Sequence, residues 1–202
     1  MKAFVLREPG SAEMLQLTTL PLPVVNDDEV LVEIKAIGIN PIDVKTRMGI
    51  GLYPRLVGDR PIILGWDISG IVVETGAGVS KFKKGDEVFG MIHFPGHGKA
   101  YAEYVACKAD HLAVKPSNIS HAAAAASCLA ALTAWQALTK IASIKKKRPI
   151  ARSCSCRRRW ALCYSNCQIS GGIHHWNLFG GQQRFCVVGR CTQGHRLPGS
   201  GF

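Results

Sequence analysis

Residues 63–90 read ILGWDISGIVVETGAGVSKFKKGDEVFG, and they carry the strongest structural signal in the chain. Two runs inside this stretch, 68–74 and 87–91, are apolar and β-branched and are bounded by glycine or aspartate, which is typical of β-strands. The Gly-Ala-Gly sequence at 76–78 lacks the third glycine of a phosphate-binding loop and precedes the polar run 81–86 instead of a helix. We therefore interpret the segment between the two runs as a turn between strands.

Outward from this stretch, the same pattern of short apolar runs recurs along the first 115 residues. Each run is bounded by Gly, Pro, Asp or Asn, the residues that favour turns. The further predicted strands are residues 3–7, 15–19, 30–37, 101–106 and 111–114. This spacing predicts a mainly β fold that is either a barrel or a sandwich.

Two helices are predicted among these strands. Residues 41–48 form a short helix with Asn40 as its N-cap. An Ala-rich helix begins at Asn118 or Ser120 and runs to about residue 142. Its apolar run is weaker and shorter than the roughly 20 strongly apolar residues of a membrane span. We interpret it as a buried helix.

Composition excludes a disordered or fibrous chain, because 47% of the 202 residues are hydrophobic and only 19% are charged. The net charge of +11 suggests a polyanionic partner, but it is unevenly distributed. Residues 148–202 contain eight Arg, no Lys and no acidic residue, whereas residues 1–147 carry a net charge of only +3. The basic character therefore belongs to the tail and not to the whole fold.

The cysteines, like the charges, are distributed unevenly between residues 1–147 and the tail. Residues 1–147 contain only Cys107 and Cys128, and the last 55 residues contain the other six. Two sparse cysteines favour a reducing compartment over a disulfide scaffold. The first residues, MKAFVLRE, do not resemble a signal peptide, so we expect a cytoplasmic protein.

Four ordered segments of the first 147 residues resemble the medium-chain dehydrogenase/reductase superfamily. They are residues 32–49 (VEIKAIGINPIDVKTRMG), 63–90, 100–116 (AYAEYVACKADHLAVKP) and 122–138. The resemblance implies a GroES-like catalytic β-barrel that ends in an Ala-rich helix. In complete members, which are considerably longer, a nucleotide-binding Rossmann domain follows.

Zinc-dependent members of this superfamily have a ligand Cys where this chain has Asn40, and Gly-His-Glu where it has Gly65, Trp66 and Asp67. Tryptophan does not ligate zinc, and an amide is a poor substitute for a thiolate. The four-Cys lobe for structural zinc is also missing, because residues 93–101 form a short loop without cysteine. The chain is therefore similar to the zinc-free quinone oxidoreductases. This resemblance implies NADPH as the cofactor and a quinone, or a conjugated enone or aldehyde, as the substrate. It also implies a homodimer in intact members of the family.

The resemblance also implies roles for individual residues. Asn40 and Thr133 approach the nicotinamide end of the cofactor, and Tyr53 lines the substrate cleft as a hydrogen-bond donor or proton relay. For each of these residues a structural interpretation competes: a helix cap, an exposed helix position and a surface aromatic, respectively. Asp43 matches an acidic residue of the family and is interpreted as structural. The histidines His93, His97 and His111 have no metal-ligand spacing and are interpreted as loop or strand residues.

Residues 148–202 do not continue the family pattern in the given reading frame. When each codon is read from its second base, residues 153–168 can encode HAAAGGVGHFAIQIAK, a glycine-rich turn that opens a helix. Since Trp160 has a single codon and Ala161 begins with G, the shifted residue there must be glycine. We interpret the tail as out of frame after Lys145-Lys146-Lys147, with the Rossmann domain absent or scrambled. Farther along, residues 174–177 can encode IIGT at the end of a second strand, without an acidic residue to bind a ribose 2′-hydroxyl, which favours NADPH over NADH.

The predicted domains are a GroES-like barrel (1–116), a linker helix (117–147) and an out-of-frame tail that is disordered or poorly folded (148–202). On this interpretation the chain itself is inactive. Two alternatives remain. The six tail cysteines, with His174 and His175, could bind a metal, and Arg157-Arg158-Arg159-Trp160 could bind nucleic acid. The barrel could also be an inert fragment or interaction module.

Overall fold

A computed structural model describes residues 1–137 and Lys140, together with the backbone of three short strands farther along the chain. The chain divides into two compact units, Met1–Leu129 and Ala130–Phe202. The predicted extension of the Ala-rich helix to residue 142 lies outside the described residues, as does most of the tail for which the shifted reading frame was predicted.

Residues 1–137 form a mainly β fold with helices between the strands, which confirms the predicted fold class. The elements are β1 (Lys2–Leu6), a 3-10 turn (Ala12–Met14), β2 (Leu15–Thr19), β3 (Glu29–Gly38), α1 (Pro41–Arg47), α2 (Tyr53–Leu56), β4 (Ile62–Ile63), β5 (Asp67–Thr75), β6 (Glu87–Met91), β7 (Tyr104–Lys108), a 3-10 turn (Ala109–His111), β8 (Leu112–Val114) and α3 (His121–Gln136). Every predicted strand is present. The short elements α2 and β4 were not predicted.

β5 is the central strand of a five-stranded antiparallel sheet with the strand order β7-β3-β5-β6-β8. Consecutive residues of β5 are buried from Asp67 to Gly70, so both faces of the strand are covered there. The buried aliphatic core includes Val30, Val32, Ile68, Val72, Val88, Ile92, Val105 and Leu112. Each such side chain contributes about 1.5–3 kcal/mol on burial, which makes this sheet the main source of stability.

Trp66 fills a second core beside a smaller sheet of strand order β2-β1-β4. Its indole packs against Leu6, Leu56 and Ile62, and only 1% of the residue is exposed. The indole N–H donates to the carbonyl of Gly96 at 2.7 Å. The single polar group of this buried ring is therefore satisfied, and Trp66 serves as a core residue.

Gly65, which precedes Trp66, has a backbone conformation and surroundings that exclude other residues. Its φ is +90°, and a Cβ atom there would lie 2.5 Å from Cδ1 of the Tyr101 ring. The Gly65 carbonyl accepts a hydrogen bond from the N–H of Ala100 at 3.2 Å. Glycine is thus needed where the β4–β5 connection passes against the segment before β7.

Gly65→Ala is expected to lower the free energy of unfolding by about 2 kcal/mol, since both the positive φ and the Tyr101 ring oppose a methyl group. Urea unfolding is the measurement. Gly85→Ala isolates the backbone effect, because Gly85 has a φ of +95° and a Cβ added there would meet no atom within 4 Å, and Gly58→Ala is the neutral control. Equal stability of the Gly65 and Gly85 variants would contradict the role assigned to the ring.

α3 begins after Ser120, whose Oγ accepts a hydrogen bond from the N–H of Ala123 at 3.2 Å. Ser120 is therefore the cap, of the two residues that the sequence allowed. The first turns bury Ala124, Ala125 and Cys128. Across the described residues, no helix has the length and hydropathy needed to cross a membrane.

In the second unit, the backbone forms three antiparallel strands: β9 (Ala161–Cys163), β10 (Trp176–Gly180) and β11 (Gln183–Val187). β10 is central and pairs with both neighbours. The metal and nucleic-acid interpretations of the tail depend on side chains outside the described residues.

Candidate functional site

Asn40 is the N-cap of α1, as predicted, and only 7% of the residue is exposed. Its backbone is extended, and Pro41 occupies the first helical position, where its missing N–H is not needed. Asn40 and Asp43 are arranged as a capping box, in which the Asp43 carboxylate accepts the Asn40 N–H at 2.6 Å. Local sequence thus fixes the backbone of Asn40.

Asp67 fixes the side chain of Asn40. The carboxylate is fully buried at the start of β5, and its Oδ2 accepts Nδ2–H of Asn40 at 2.8 Å and the N–H of Leu129 at 3.0 Å. Gly38 provides the space, since a Cβ at that position would lie 2.9 Å from Asp67 Cβ. One oxygen therefore joins α1, β5 and α3. In the sequence Asp67 is visible only at the position of a missing zinc ligand, and this role was not predicted.

The two carboxylates share a poorly solvated region. Asp43 Oδ1 and Asp67 Oδ1 are buried and accept no hydrogen bond from the described residues. Burial raises the pKa of Asp43 to about 6, although the hydrogen bond from the Asn40 N–H favours the ionised form. The negative charge of Asp67 adds to the increase. Burial likewise raises the pKa of Asp67 to about 6, although the Leu129 N–H and the Asn40 amide favour its ionised form. Between about pH 4 and pH 6, the site therefore retains protons that ordinary aspartates would have lost.

Protein stability is expected to fall as the pH rises from about 4 to about 7. A pKa raised from 3.8 to about 6 means that the folded state binds the carboxyl proton more tightly than the unfolded state does. The resulting stabilisation is complete below pH 4 and is lost as the carboxyl ionises in the folded state. The change amounts to about 3 kcal/mol for one carboxyl. Urea unfolding between pH 4.5 and 7.5 measures it.

Asp43→Asn and Asp67→Asn should each reduce this pH dependence. Burial lowers the pKa of His97 and of His111. The contribution of these two histidines to stability therefore increases as the pH rises, opposite to that of the aspartates. Because both histidines are present in every variant, the difference between parent and variant isolates each aspartate. Parallel pH profiles would contradict the assigned burial of charge.

Tyr53 is the first residue of α2 and packs, partly buried, against the Trp66 core near Leu56. Its hydroxyl makes no hydrogen bond with the described residues, whereas Trp66 and Asn40 have internal partners. The phenol is therefore chemically free to meet a ligand. Its assignment to a substrate cleft stays a prediction.

Thr133 is an exposed residue of α3 and belongs to the second unit, whereas Asn40 and Tyr53 belong to the first. Within the first unit, the structure brings Asn40 together with Asp43 and Asp67. The predicted cofactor contact of Thr133 stays a prediction.

The residues at the zinc-ligand positions are unsuited to a metal. The amide of Asn40 is bonded to Asp67, and the indole of Trp66 lies in the core. Among the described residues, no three His, Cys, Asp or Glu side chains cluster as metal ligands. His93 and His111 instead contact each other, with the His93 N–H donating to His111 Nδ1 at 3.2 Å.

Residues 26–117 match the alcohol dehydrogenase GroES-like domain. A 2-methylene-furan-3-one reductase of Solanum lycopersicum is 38% identical over 146 residues, which cover 69% of this chain and 37% of that protein. Other curated relatives carry mitochondrial or chloroplastic designations.

Two solved structures show the same fold. The quinone oxidoreductase of Coxiella burnetii matches with a TM-score of 0.68 and 37% identity, over 72% of this chain and 46% of that one. The Escherichia coli quinone oxidoreductase complexed with NADPH matches with a TM-score of 0.64 and 36% identity, over 72% and 43% of the respective chains. The chain spans less than half the length of these relatives.

The mainly β unit with its capped α1, matched over residues 26–117, is a GroES-like domain of the alcohol dehydrogenase type. The chain belongs to the medium-chain dehydrogenase/reductase superfamily, in its quinone oxidoreductase-like branch.

Proposed function

We propose that this domain belongs to an NADPH-dependent oxidoreductase that transfers hydride to a quinone or to a conjugated enone or aldehyde without zinc. The observation that carries the proposal is the hydrogen bond from the Asn40 amide to Asp67, at positions where zinc-dependent members have metal ligands. The names of the tomato reductase and of the NADPH-bound Escherichia coli enzyme support the substrate and cofactor classes.

In this proposal, residues of the barrel and of α3 bind the nicotinamide end of the cofactor. Nicotinamide supplies the hydride when it is bound. Asn40, held by Asp67, presents a fixed amide to that end, and Thr133 contributes a second polar group. Tyr53 is proposed to donate its hydroxyl proton toward the substrate oxygen on which negative charge develops.

A different group of residues would be needed to bind the pyrophosphate of the cofactor. After Lys147 the given sequence contains no glycine-rich run of the dinucleotide-binding spacing. We propose the domain division given above, with a barrel at 1–116, a linker helix at 117–147 and an out-of-frame tail. The 202-residue chain is accordingly proposed to be inactive, and the protein with the tail re-read is proposed to be an active homodimer.

A re-read chain tests the proposed function. It keeps residues 1–147, reads codons 148–202 from the second base, and continues in that frame through the genomic sequence that follows, to the length of the matched quinone oxidoreductases. With NADPH and either 1,4-benzoquinone or a simple conjugated enone, it should oxidise NADPH in proportion to substrate. Tyr53→Phe should reduce kcat by about 10²-fold if the hydroxyl supplies a proton. A folded, NADPH-binding chain that reduces neither substrate class would overturn the proposal.

We also propose a cytoplasmic location. Cys107 and Cys128 are both buried free thiols, a state that a reducing compartment preserves. Fractionation of source cells, with antibodies against residues of the barrel, checks this proposal. Enrichment in an organelle would contradict it.

A further inference from the structure

The start of α3 carries polar contacts that the proposed reaction does not use. His121, the first residue of the helix, places Nδ1 2.8 Å from Ser69 Oγ and Nε2 3.3 Å from Glu87 Oε1. Ser69 lies on β5 and Glu87 on β6. One imidazole therefore joins the helix to two strands of the large sheet.

Hydrogen bonding determines which imidazole nitrogens carry protons. The Ser69 hydroxyl donates to the carbonyl of Val88 at 3.0 Å, so Ser69 Oγ accepts from Nδ1–H of His121. An ionised Glu87 carboxylate only accepts, and Nε2 must carry a proton to bond with it. The protonated imidazolium alone satisfies both contacts at once.

The same logic excludes a nucleophilic Ser-His-Glu triad. In such a triad the serine hydroxyl donates to the imidazole and its oxygen faces a substrate. Here the hydroxyl proton is directed at Val88, and Ser69 is fully buried. The arrangement is therefore a structural contact whose strength depends on protonation.

Glu87 also holds the segment that leads into α3. Its Oε2 lies 3.0 Å from Lys115 Nζ, and the lysine side chain is only 5% exposed. Lys115 further donates to the carbonyl of Ile119 at 2.8 Å. The hydrogen bond from Lys115, with a smaller effect of His121, lowers the pKa of Glu87 and keeps it ionised. One carboxylate thus fixes both ends of residues 115–121.

We propose that Ser69, Glu87 and His121 form a protonation-dependent latch that positions α3 on β5. It is closed when His121 is protonated and weakened when His121 is neutral, because a neutral imidazole loses either the Glu87 contact or the Ser69 contact. The groups facing the start of α3 are Glu87 and Lys115, and Asp67 and Cys128 lie along its next turns.

The latch acts on the helix that anchors the Asn40 site. Asp67 precedes Ser69 by two residues, so the two side chains share a face of β5. Asp67 bonds the N–H of Leu129, two turns after His121, with the oxygen that also holds Asn40. Ser69, Glu87 and His121 are therefore positioning residues. The inference goes beyond the proposed function, since it requires neither NADPH nor substrate.

Amide hydrogen exchange of the full 202-residue chain tests the latch. Histidine changes charge between about pH 5 and 8. The Ala124 N–H, bonded to the Ser120 carbonyl, and the Ala125 N–H report opening of the first turn. After correction for intrinsic exchange, their protection should be about three- to fivefold higher at pH 6 than at pH 8.

Variants separate the latch from the other titrating groups. Glu87→Gln and His121→Gln should each make the pH dependence of protection smaller than in the parent chain, and the part that remains should be that of Asp43 and Asp67. Glu74→Gln, which removes an exposed carboxylate from the same strand as Ser69, should retain the pH dependence of the parent chain. A pH dependence in both latch variants as large as in the parent chain, or its absence in the parent chain, would overturn the inference.

A second measurement requires no variant to fold. Ring ¹⁵N shifts of His121 in the parent chain should show both nitrogens protonated in the charged form and the proton on Nδ1 in the neutral form. A neutral form protonated on Nε2 would also overturn the inference.

Discussion

NADPH is expected to bind the 202-residue chain at least a hundredfold more weakly than it binds the chain re-read from residue 148. In the re-read sequence, backbone N–H groups of a glycine-rich turn and a helix N-terminus face the pyrophosphate. A hydrogen bond to a charged group contributes about 1.5–3 kcal/mol, so the loss of two corresponds to a factor of about 10²–10⁴.

Fluorescence titration of both chains at one salt concentration measures this ratio. The barrel residues are identical in the two chains, so any difference arises from the residues after Lys147. Micromolar affinity of the 202-residue chain would mean that the barrel and the given tail suffice for binding. The proposed inactivity of this chain would then be wrong.

Genomic DNA across codons 140–202 provides an independent check on the same hypothesis. The shifted reading requires TCA at Ser153 and CGT at Arg159, with one surplus base near the run Lys145-Lys146-Lys147. Other codons at these positions would remove the support for a hidden Rossmann domain. The cysteines and arginines of the tail would then need a function of their own.

Local pattern predicted the elements whose ends are set by local chemistry. Leu15–Thr19 and Glu87–Met91 form with the predicted bounds, and Gly85-Asp86 mark the start of the second strand. β7 begins at Tyr104, three residues later than predicted, because Ala102 bridges to Ala3 in the smaller sheet. β4 was missed because its two residues become a strand only by pairing with β1. Such contacts depend on the tertiary fold.

In the candidate site, too, local sequence predicts some contacts and not others. The capping role of Asn40 was predictable, since Asn-Pro followed by Asp43 at the third helical position is a local signal. Its partner Asp67 lies 27 residues farther along the chain, and no periodicity links the two. Likewise, His121 has no ligand spacing to Ser69, 52 residues away. The residues were visible in the sequence, but their contacts required the fold.

Asp67→Ala is expected to give a protein about 4 kcal/mol less stable than Asp67→Asn at pH 7. Neither variant carries the buried charge, so the comparison removes the cost of ionisation. Asparagine still provides an oxygen that can accept both the Asn40 amide and the Leu129 N–H. Alanine leaves two buried donors unpaired, at about 1–3 kcal/mol each, and adds a small cavity.

Urea unfolding of the two variants at pH 7, followed by circular dichroism, measures the difference directly. Asp67→Asn should be at least as stable as the parent at this pH, because it retains the acceptor while removing a carboxylate whose pKa burial raises to about 6. Equal stability of the two variants would show that the oxygen of residue 67 does not hold Asn40. The anchor on which the proposed cofactor contact of Asn40 rests would then be lost, even if the fold were intact.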